Sequence, residues 1–541
     1  MSPLLLLTLA LPQGAPAEGL TLVAPIESPD AFLVDLQGEI VQAWPGTLVP
    51  ALAAYLLPSG NLLRTVNTQA GAGAGSRGGG LQEVTWTGEV LWDWRYDGPG
   101  VLSHHDVEVM PNGNILVLAW EDKTNAEAVA AGRDPALLNP VAGKLMPEHI
   151  LEIQPVPPQD AIVVWEWHAW DHLVQDYDPT KPDFGNPADS PERIDLNYPP
   201  LPPPASGDWM HANSLDYNAE LDQILISVKS FNEIWVIDHS TTTAEAAGST
   251  GGRYGKGGDL LYRWGNPEAW GRGGPADRIL QGQHDAQWIP EGSPGAGNIL
   301  ILNNGIERIP QASSVDEIVP PVDAQGNYSL NAQGLYDPPA PVWSWQAPNP
   351  TDFFTETMGG CERLPNGNTL VCSANQGWIF EVDPAGNVVW EYWNTIPSTN
   401  TPDVFKVRRY TLDLFPDRTE LSAAAGGQIR FLLLPGSDQA GRDYILAASG
   451  SGTEPGTRLP GNLVTLPLNR DGITDRVLAA ANGPSLVRFQ GQLDGNGRAT
   501  PIFDSLGPLS ASLAGTVVHF AYALSNPWDY ASEAVAVEIL P

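Results

Sequence analysis

The sequence predicts an all-β protein, a six-bladed β-propeller followed by a C-terminal β-sandwich, on three observations. A short strand ending in tryptophan recurs six times; hairpins of the Asn-Gly type lie among these strands; and the rhythm stops near residue 420, where a different strand spacing begins. Composition agrees, since 56 Gly and 51 Pro in 541 residues favour turns over long helices. A chain of this length divides into about two to four domains.

The chain opens with an apolar run from Leu4 to Leu11, followed by Ala15-Pro16-Ala17. The run is too short to cross a bilayer, and a small-x-small site after it is the pattern of a secretory leader. The expectation is a signal peptide over 1–17 and an exported protein, periplasmic or extracellular. The propeller is assigned to 18–420. Its repeats are EIVQAW at Trp44, EVLWDW at Trp94, IVVWEW at Trp167, LLYRW at Trp264, VWSW at Trp345 and VVWEYW at Trp393. Successive tryptophans are 50, 73, 97, 81 and 48 residues apart, a unit of constant core with insertions in its middle copies. With hairpins such as LLPSGNLL, VMPNGNILVL and RLPNGNTLVC, each unit supplies about four antiparallel strands, which cannot bury both faces alone. Six such sheets around an axis can, with the tryptophans packed between blades. A stacked β-solenoid fits the insertions poorly. Beyond 420, IRFLLL, DYILAAS, VVHFAYAL and AVAVEIL alternate at sandwich spacing, so 421–541 is assigned to a β-sandwich without a named role; His519 within it reads as structural.

Charge and cysteine content narrow the function. With 27 Lys+Arg against 63 Asp+Glu the formal charge is −36, which repels nucleic acid and anionic membranes; an anionic substrate needs a local group of cations or donors. The expected partners are small molecules, with no nucleic acid and no membrane span. Two cysteines, Cys361 and Cys372, flank ERLPNGNTLV. A two-residue turn at Asn366-Gly367 sets them opposite each other on adjacent strands, open either to a cross-strand disulfide or to two core thiols.

The histidines repeat in register. His105 lies six residues before Pro111 and His284 six before Pro290, His211 opens the related segment of the third unit, and Leu52 and Gly359 hold the corresponding places elsewhere. Equivalent positions of blades are related by rotation, so the three histidines converge on one mouth of the channel. A scaffold bond recurring in every blade is disfavoured by Leu52 and Gly359. A zinc site is the other reading of three imidazoles, but no acidic or thiol ligand shares the register, and neither metal nor cofactor is expected.

The segments HHDVEVMPNGNILVL, WEWHAWDHLVQD, HANSLDYNAELDQILISVKSFNEIWVID, GQHDAQWIP and RLPNGNTLVCSANQGWIFEVD resemble the bacterial arylsulfotransferase family, the aryl-sulfate sulfotransferases that need no nucleotide donor. The resemblance implies a six-bladed propeller whose axial histidine takes a sulfuryl group from an aryl sulfate and passes it to a phenol, by ping-pong kinetics. It implies His284 as nucleophile and His105 and His211 as the other catalytic histidines. The family's arginine falls on Lys229, a point charge where a planar fork is expected, and the resemblance makes Lys229 a substrate-binding residue. His172, beside Asp171, is a candidate for the pocket rim; His104 and His168 rank below it. The competing reading is a non-catalytic propeller that binds a sulfated or anionic ligand. A quinone-dependent dehydrogenase ranks last for want of a calcium motif.

Overall fold

In the computed structural model, which describes residues 14–68, 78–199, 206–411 and 413–541, the chain is nearly all β, with three short α-helices among the described residues. Most of the expected leader lies outside the described residues. No described helix is long and apolar enough to cross a membrane.

From residue 50 to 393 the chain lays down five four-stranded antiparallel meanders, the second to sixth sheets in sequence order, and a first such sheet is built from the segments that flank that stretch. In that first sheet, Leu20–Val23, Ala31–Val34 and Ile40–Trp44 are completed by Arg408–Tyr410, with Thr21 opposite Arg409. The second and third sheets touch through the pairs Leu52 with His105 and Gly78 with His104. Each predicted tryptophan strand is the outermost strand of its sheet.

The tryptophans tie each sheet to the next. Trp44 Nε1 donates to Thr85 O at 3.0 Å, Trp92 to Asp160 O at 2.8 Å, Trp167 to Gly258 O at 2.8 Å, Trp264 to Pro338 O at 2.7 Å and Trp345 to Gly386 O at 3.1 Å. Trp390 then donates to Leu36 O at 2.8 Å, which joins the sixth sheet back to the first. In the second and sixth sheets the tie is made by Trp92 and Trp390, not by the terminal tryptophans. Side chains alternate faces along a strand, so Trp393, three residues after Trp390, turns to the other face and is 51% exposed.

The cysteine pairing differs from expectation. Leu364 N–H donates to Asn368 O at 2.9 Å around a three-residue loop, Pro365–Gly367, in which Gly367 takes φ +92°. The extra residue slips the register by one, so that Cys361 faces Val371 and Cys372 faces Gly360. The two side chains point to opposite faces. Cys361 packs with Leu300 and Phe380, Cys372 with Val23 and Phe32, and both are free, buried thiols.

Across the boundary expected at residue 420, Leu414–Pro416 pairs with Gln428–Leu433. Two sheets, one of Leu414–Pro416, Gln428–Leu433, Ile502–Asp504 and Leu486–Val487, the other centred on Asp443–Ser449 and Thr516–Ser525, share one apolar cluster containing Phe431, Leu446, Phe489, Phe520 and Tyr522.

Burial pushes both thiols up. The native protein should therefore resist thiol reagents and the unfolded protein should titrate two thiols without reductant; fewer than two in non-reducing denaturant would contradict the observed register.

Candidate functional site

The inner strands are kinked where chemistry gathers. Register shifts fall between Ser103 and Val107, Ala212 and Ser214, and His284 and Gln287, and the left-handed region is occupied by His105 (φ 51°), His211 (φ 52°), Asp285 (φ 52°) and Met358 (φ 61°). Such φ values are strained for non-glycine residues, and bulges of this kind re-aim side chains. The regular backbone register read from the sequence holds for His105 and His211, whereas in the fifth sheet the strained residue is Asp285, one after His284.

His105, His211 and His284 come together. The rings of His105 and His211 stand edge to face with centroids 4.9 Å apart. His284 and Lys229 both lie close enough to His105 to disfavour its charged form, beyond what burial does. Each ring is held by a different partner. Asn304 spends its Nδ2 on the carbonyls of Thr355 and Met358, both at 2.9 Å, so its Oδ1 faces His284 Nδ1 at 2.8 Å and accepts a hydrogen bond from Nδ1–H. His284 Nε2 then carries the lone pair and accepts Met358 N–H at 3.2 Å. Burial, with Lys229 adding to it, holds His284 at about 3, so it is neutral. His211 Nδ1 bonds the Asp208 carboxylate. Although burial would raise Asp208, His211, His104 and Lys229 keep its carboxyl below its ordinary value.

His105 is the end of a buried chain. Its Nδ1 lies 2.7 Å from His104 Nδ1, and His104 Nε2 lies 3.0 Å from Glu148 Oε2. Glu148 Oε1 accepts Ala212 N–H at 2.7 Å, and the His104 ring stacks on Trp120 at 3.7 Å. Burial holds His104 at about 3 and raises Glu148 well above the carboxylate range.

Beside the histidines lies a clamp that joins all six sheets. Asp106 accepts Tyr55 Oη–H at 2.7 Å, Leu215 N–H at 3.0 Å and Lys406 Nζ at 2.7 Å. Asp285 accepts Cys361 N–H at 3.0 Å, Lys406 Nζ at 3.2 Å, and Arg408 through both guanidinium ends at 2.9 and 2.7 Å. Lys406 and Arg408 are thus spent on carboxylates. Lys229 has no ion pair within 4.0 Å among the described residues, and is the cation left over for an anion beside His284 and His105. Asp285 and Arg408 also line a cavity of about 690 Å³, together with Tyr55, Glu108, Asp216 and Glu362; none of the three histidines lines it. Burial raises Asp216 to about 6 and Glu362 to about 7, which favours their uncharged forms.

His172 is placed in the scaffold, contrary to the pocket-rim expectation. It is fully buried, its Nδ1 bonds Asp259 at 2.8 Å, its Nε2 bonds Ala246 O at 2.8 Å, and its ring lies parallel to Trp167. Both nitrogens are used, so none is left for a ligand. The sequence reading missed Asp208, Asn304, Glu148, Asp106, Asp285, Lys406 and Arg408. Of these Asp106 and Asp285 had a signal, each directly after a histidine of the register, in HHDVEV and GQHDA. Nor do the three clustered histidines form a metal-ligand set, for among the described residues they do not bring three ligand atoms within 4.8 Å of one another.

A family model described as Arylsulfotransferase (ASST) matches residues 17–389. Among curated proteins none matches the sequence significantly. Solved structures similar to this chain include a protein of unknown function from Bacteroides caccae, at 12% identity over 72% of this chain and 98% of that one, with a TM-score of 0.40. Virginiamycin B lyase from Staphylococcus aureus is another, at 10% identity over 71% of this chain and 83% of its own, with a TM-score of 0.32.

Asp285→Asn leaves buried cations without their shared carboxylate and should cost about 3–5 kcal/mol in denaturant unfolding. Burial alone would raise the Asp285 carboxyl, but Arg408 and Lys406 hold it at about 2. A depressed carboxyl stabilises the fold above its ordinary value and loses that contribution as pH falls through the native one. The gap between wild type and variant should be constant from about pH 5 upward and should narrow as pH falls from there through about 2.

Proposed function

The chain belongs to the arylsulfotransferase family, and from that premise we propose that it moves a sulfuryl group from an aryl sulfate to a phenolic acceptor in two displacements, through a sulfohistidine on His284. Membership supports aryl sulfotransferase activity on small aromatic substrates in general. The two-step route rests on one observation, the Asn304 bond that leaves a neutral His284 with its lone pair on Nε2.

In the first displacement Nε2 attacks sulfur, the bond between sulfur and the aryl oxygen breaks, and that oxygen leaves with the electron pair. Attack requires Met358 N–H to release Nε2, and the freed amide then faces the sulfuryl oxygens as a donor. Lys229 and His211 serve the same oxygens, which spread one negative charge among three atoms. Asn304 keeps the proton on Nδ1 while the ring carries the group. In the second displacement the acceptor oxygen attacks sulfur and the pair returns to Nε2.

His105 manages the proton. With Glu148 protonated, its O–H donates to His104 Nε2, His104 Nδ1–H donates to His105 Nδ1, and His105 offers Nε2–H to the leaving phenolate. Handing over that proton moves one along each link, so that Glu148 ends as a carboxylate and His105 Nε2 as a base for the acceptor. No ring is charged in either resting state, in keeping with the low values of His104 and His105.

The six four-stranded sheets and the ring of indole bonds support the reading of the first body as a six-bladed propeller, and the shared apolar cluster supports a sandwich for the second. Export follows as part of the same proposal, with a mature terminus near Glu18. Ala17 is seated by Glu381 Oε1 and Arg409 Nη1, both at 2.6 Å, and cleavage after it exchanges those bonds for a free ammonium.

Purified protein should release phenolate from 4-nitrophenyl sulfate, faster with added phenol, and retain an acid-labile sulfuryl group when no acceptor is present. His284→Ala should abolish both the adduct and the transfer; a variant that still transfers removes His284 as the nucleophile. Glu148→Gln keeps the Ala212 bond but carries no mobile proton. It should slow turnover of sulfates of weakly acidic phenols by roughly 10²-fold or more while changing 4-nitrophenyl sulfate little. A uniform loss across leaving groups would mark Glu148 as a structural residue only.

A further inference from the structure

A second group of histidines lies on the outer strands of the third sheet, Glu148–Val156 and Asp160–His168. His149 stands opposite His168, and Glu166 lies two residues before His168, so all three side chains share one face. His149 Nε2 lies 3.2 Å and His168 Nε2 3.4 Å from the same atom, Glu166 Oε2, and the three lie within 4.8 Å of one another. A tetrahedral ion with bonds of about 2.0–2.1 Å holds its donor atoms about 3.3–3.4 Å apart, which is the spacing found to Glu166.

The outward-facing nitrogens are engaged as well. Tyr96 Oη lies 3.4 Å from His149 Nδ1, and Glu121 Oε1 lies 3.4 Å from His168 Nδ1, with Lys123 Nζ 2.9 Å from the other oxygen of Glu121. Oxygens beside both Nδ1 atoms suit the tautomer in which Nε2 carries the lone pair, the usual outer support of a ligating imidazole. With an ion in place, the two Nε2 lone pairs and the carboxylate oxygen would face one positive centre. The His149 side chain is buried, whereas those of His168 and Glu166 are 28% and 35% exposed, so solvent reaches one side of the group. This is the layout of three protein ligands and one open position.

We propose that His149, His168 and Glu166 bind one divalent first-row cation, best matched by zinc, with a water in the fourth position. The imidazole and carboxylate donors suit zinc, cobalt and copper better than calcium or magnesium. The ion clips the outermost strand of the third sheet to the strand that carries Glu148. No sequence spacing announces the site, because its ligands meet only through the hairpin at 156–160.

The full-length protein, stripped with EDTA and dialysed, is titrated with zinc chloride by calorimetry and with cobalt(II) under visible absorption. One equivalent should bind, the cobalt form should show the intense bands of a tetrahedral ion, and zinc should raise Tm. His168→Gln and Glu166→Gln should each weaken binding at least about tenfold and remove the Tm rise, while His284→Gln should leave both unchanged. Circular dichroism of the two ligand variants checks that they fold. If the wild type binds no zinc, or if His168→Gln and Glu166→Gln keep the full equivalent, the group is a protonated histidine pair around Glu166 and the proposal fails.

Discussion

Two buried aspartates hold the first body together. Asp106 gathers bonds from the second and fourth sheets and Asp285 from the sixth, and both share Lys406, carried by the segment that completes the first sheet. Removing charge from water costs several kcal/mol per ion, which only close and well-bonded partners recover. That requirement explains why the inner strands are bulged here: a regular strand would turn these carboxylates away from one another, and the backbone accepts positive φ so that they meet.

The clamp also decides what the histidines can do. The clamp consumes Lys406 and Arg408, whereas Lys229, near His284, has no carboxylate within 4.0 Å among the described residues, in a protein whose net charge is −36. Burial keeps His104, His105 and His284 uncharged, so the site presents lone pairs to a substrate and concentrates positive charge at one point. Positive charge and neutral imidazole are thereby carried by different side chains.

Much of this was legible in the sequence, and the limit is physical. Strands were readable because tryptophans and turn residues repeat with the sheets, and the histidine register was readable because equivalent places in repeated sheets share their neighbours. Register within a hairpin was not: one extra loop residue at Pro365–Gly367 turned Cys361 and Cys372 to opposite faces. Partners far apart in the chain were also hidden. Glu148 reaches His104 across 44 residues and Lys406 reaches Asp106 across 300, and no local pattern encodes such meetings. His172 looked like His105 in the sequence, a histidine beside an acidic residue, yet packing against Trp167 and Asp259 gave it a scaffold's place.

The closing strand, Arg408–Tyr410, sets an order of events. A ribosome delivers Leu20–Val23 long before its partner, and at about 5–20 residues per second the interval is roughly 20–80 s. Through that time the first sheet has an open inner edge, and Asp106 and Asp285 have no cation to meet. The clamp therefore forms only with that last strand, so that a nascent or truncated chain short of residue 406 carries the three histidines but lacks the electrostatic frame that holds their strands in place.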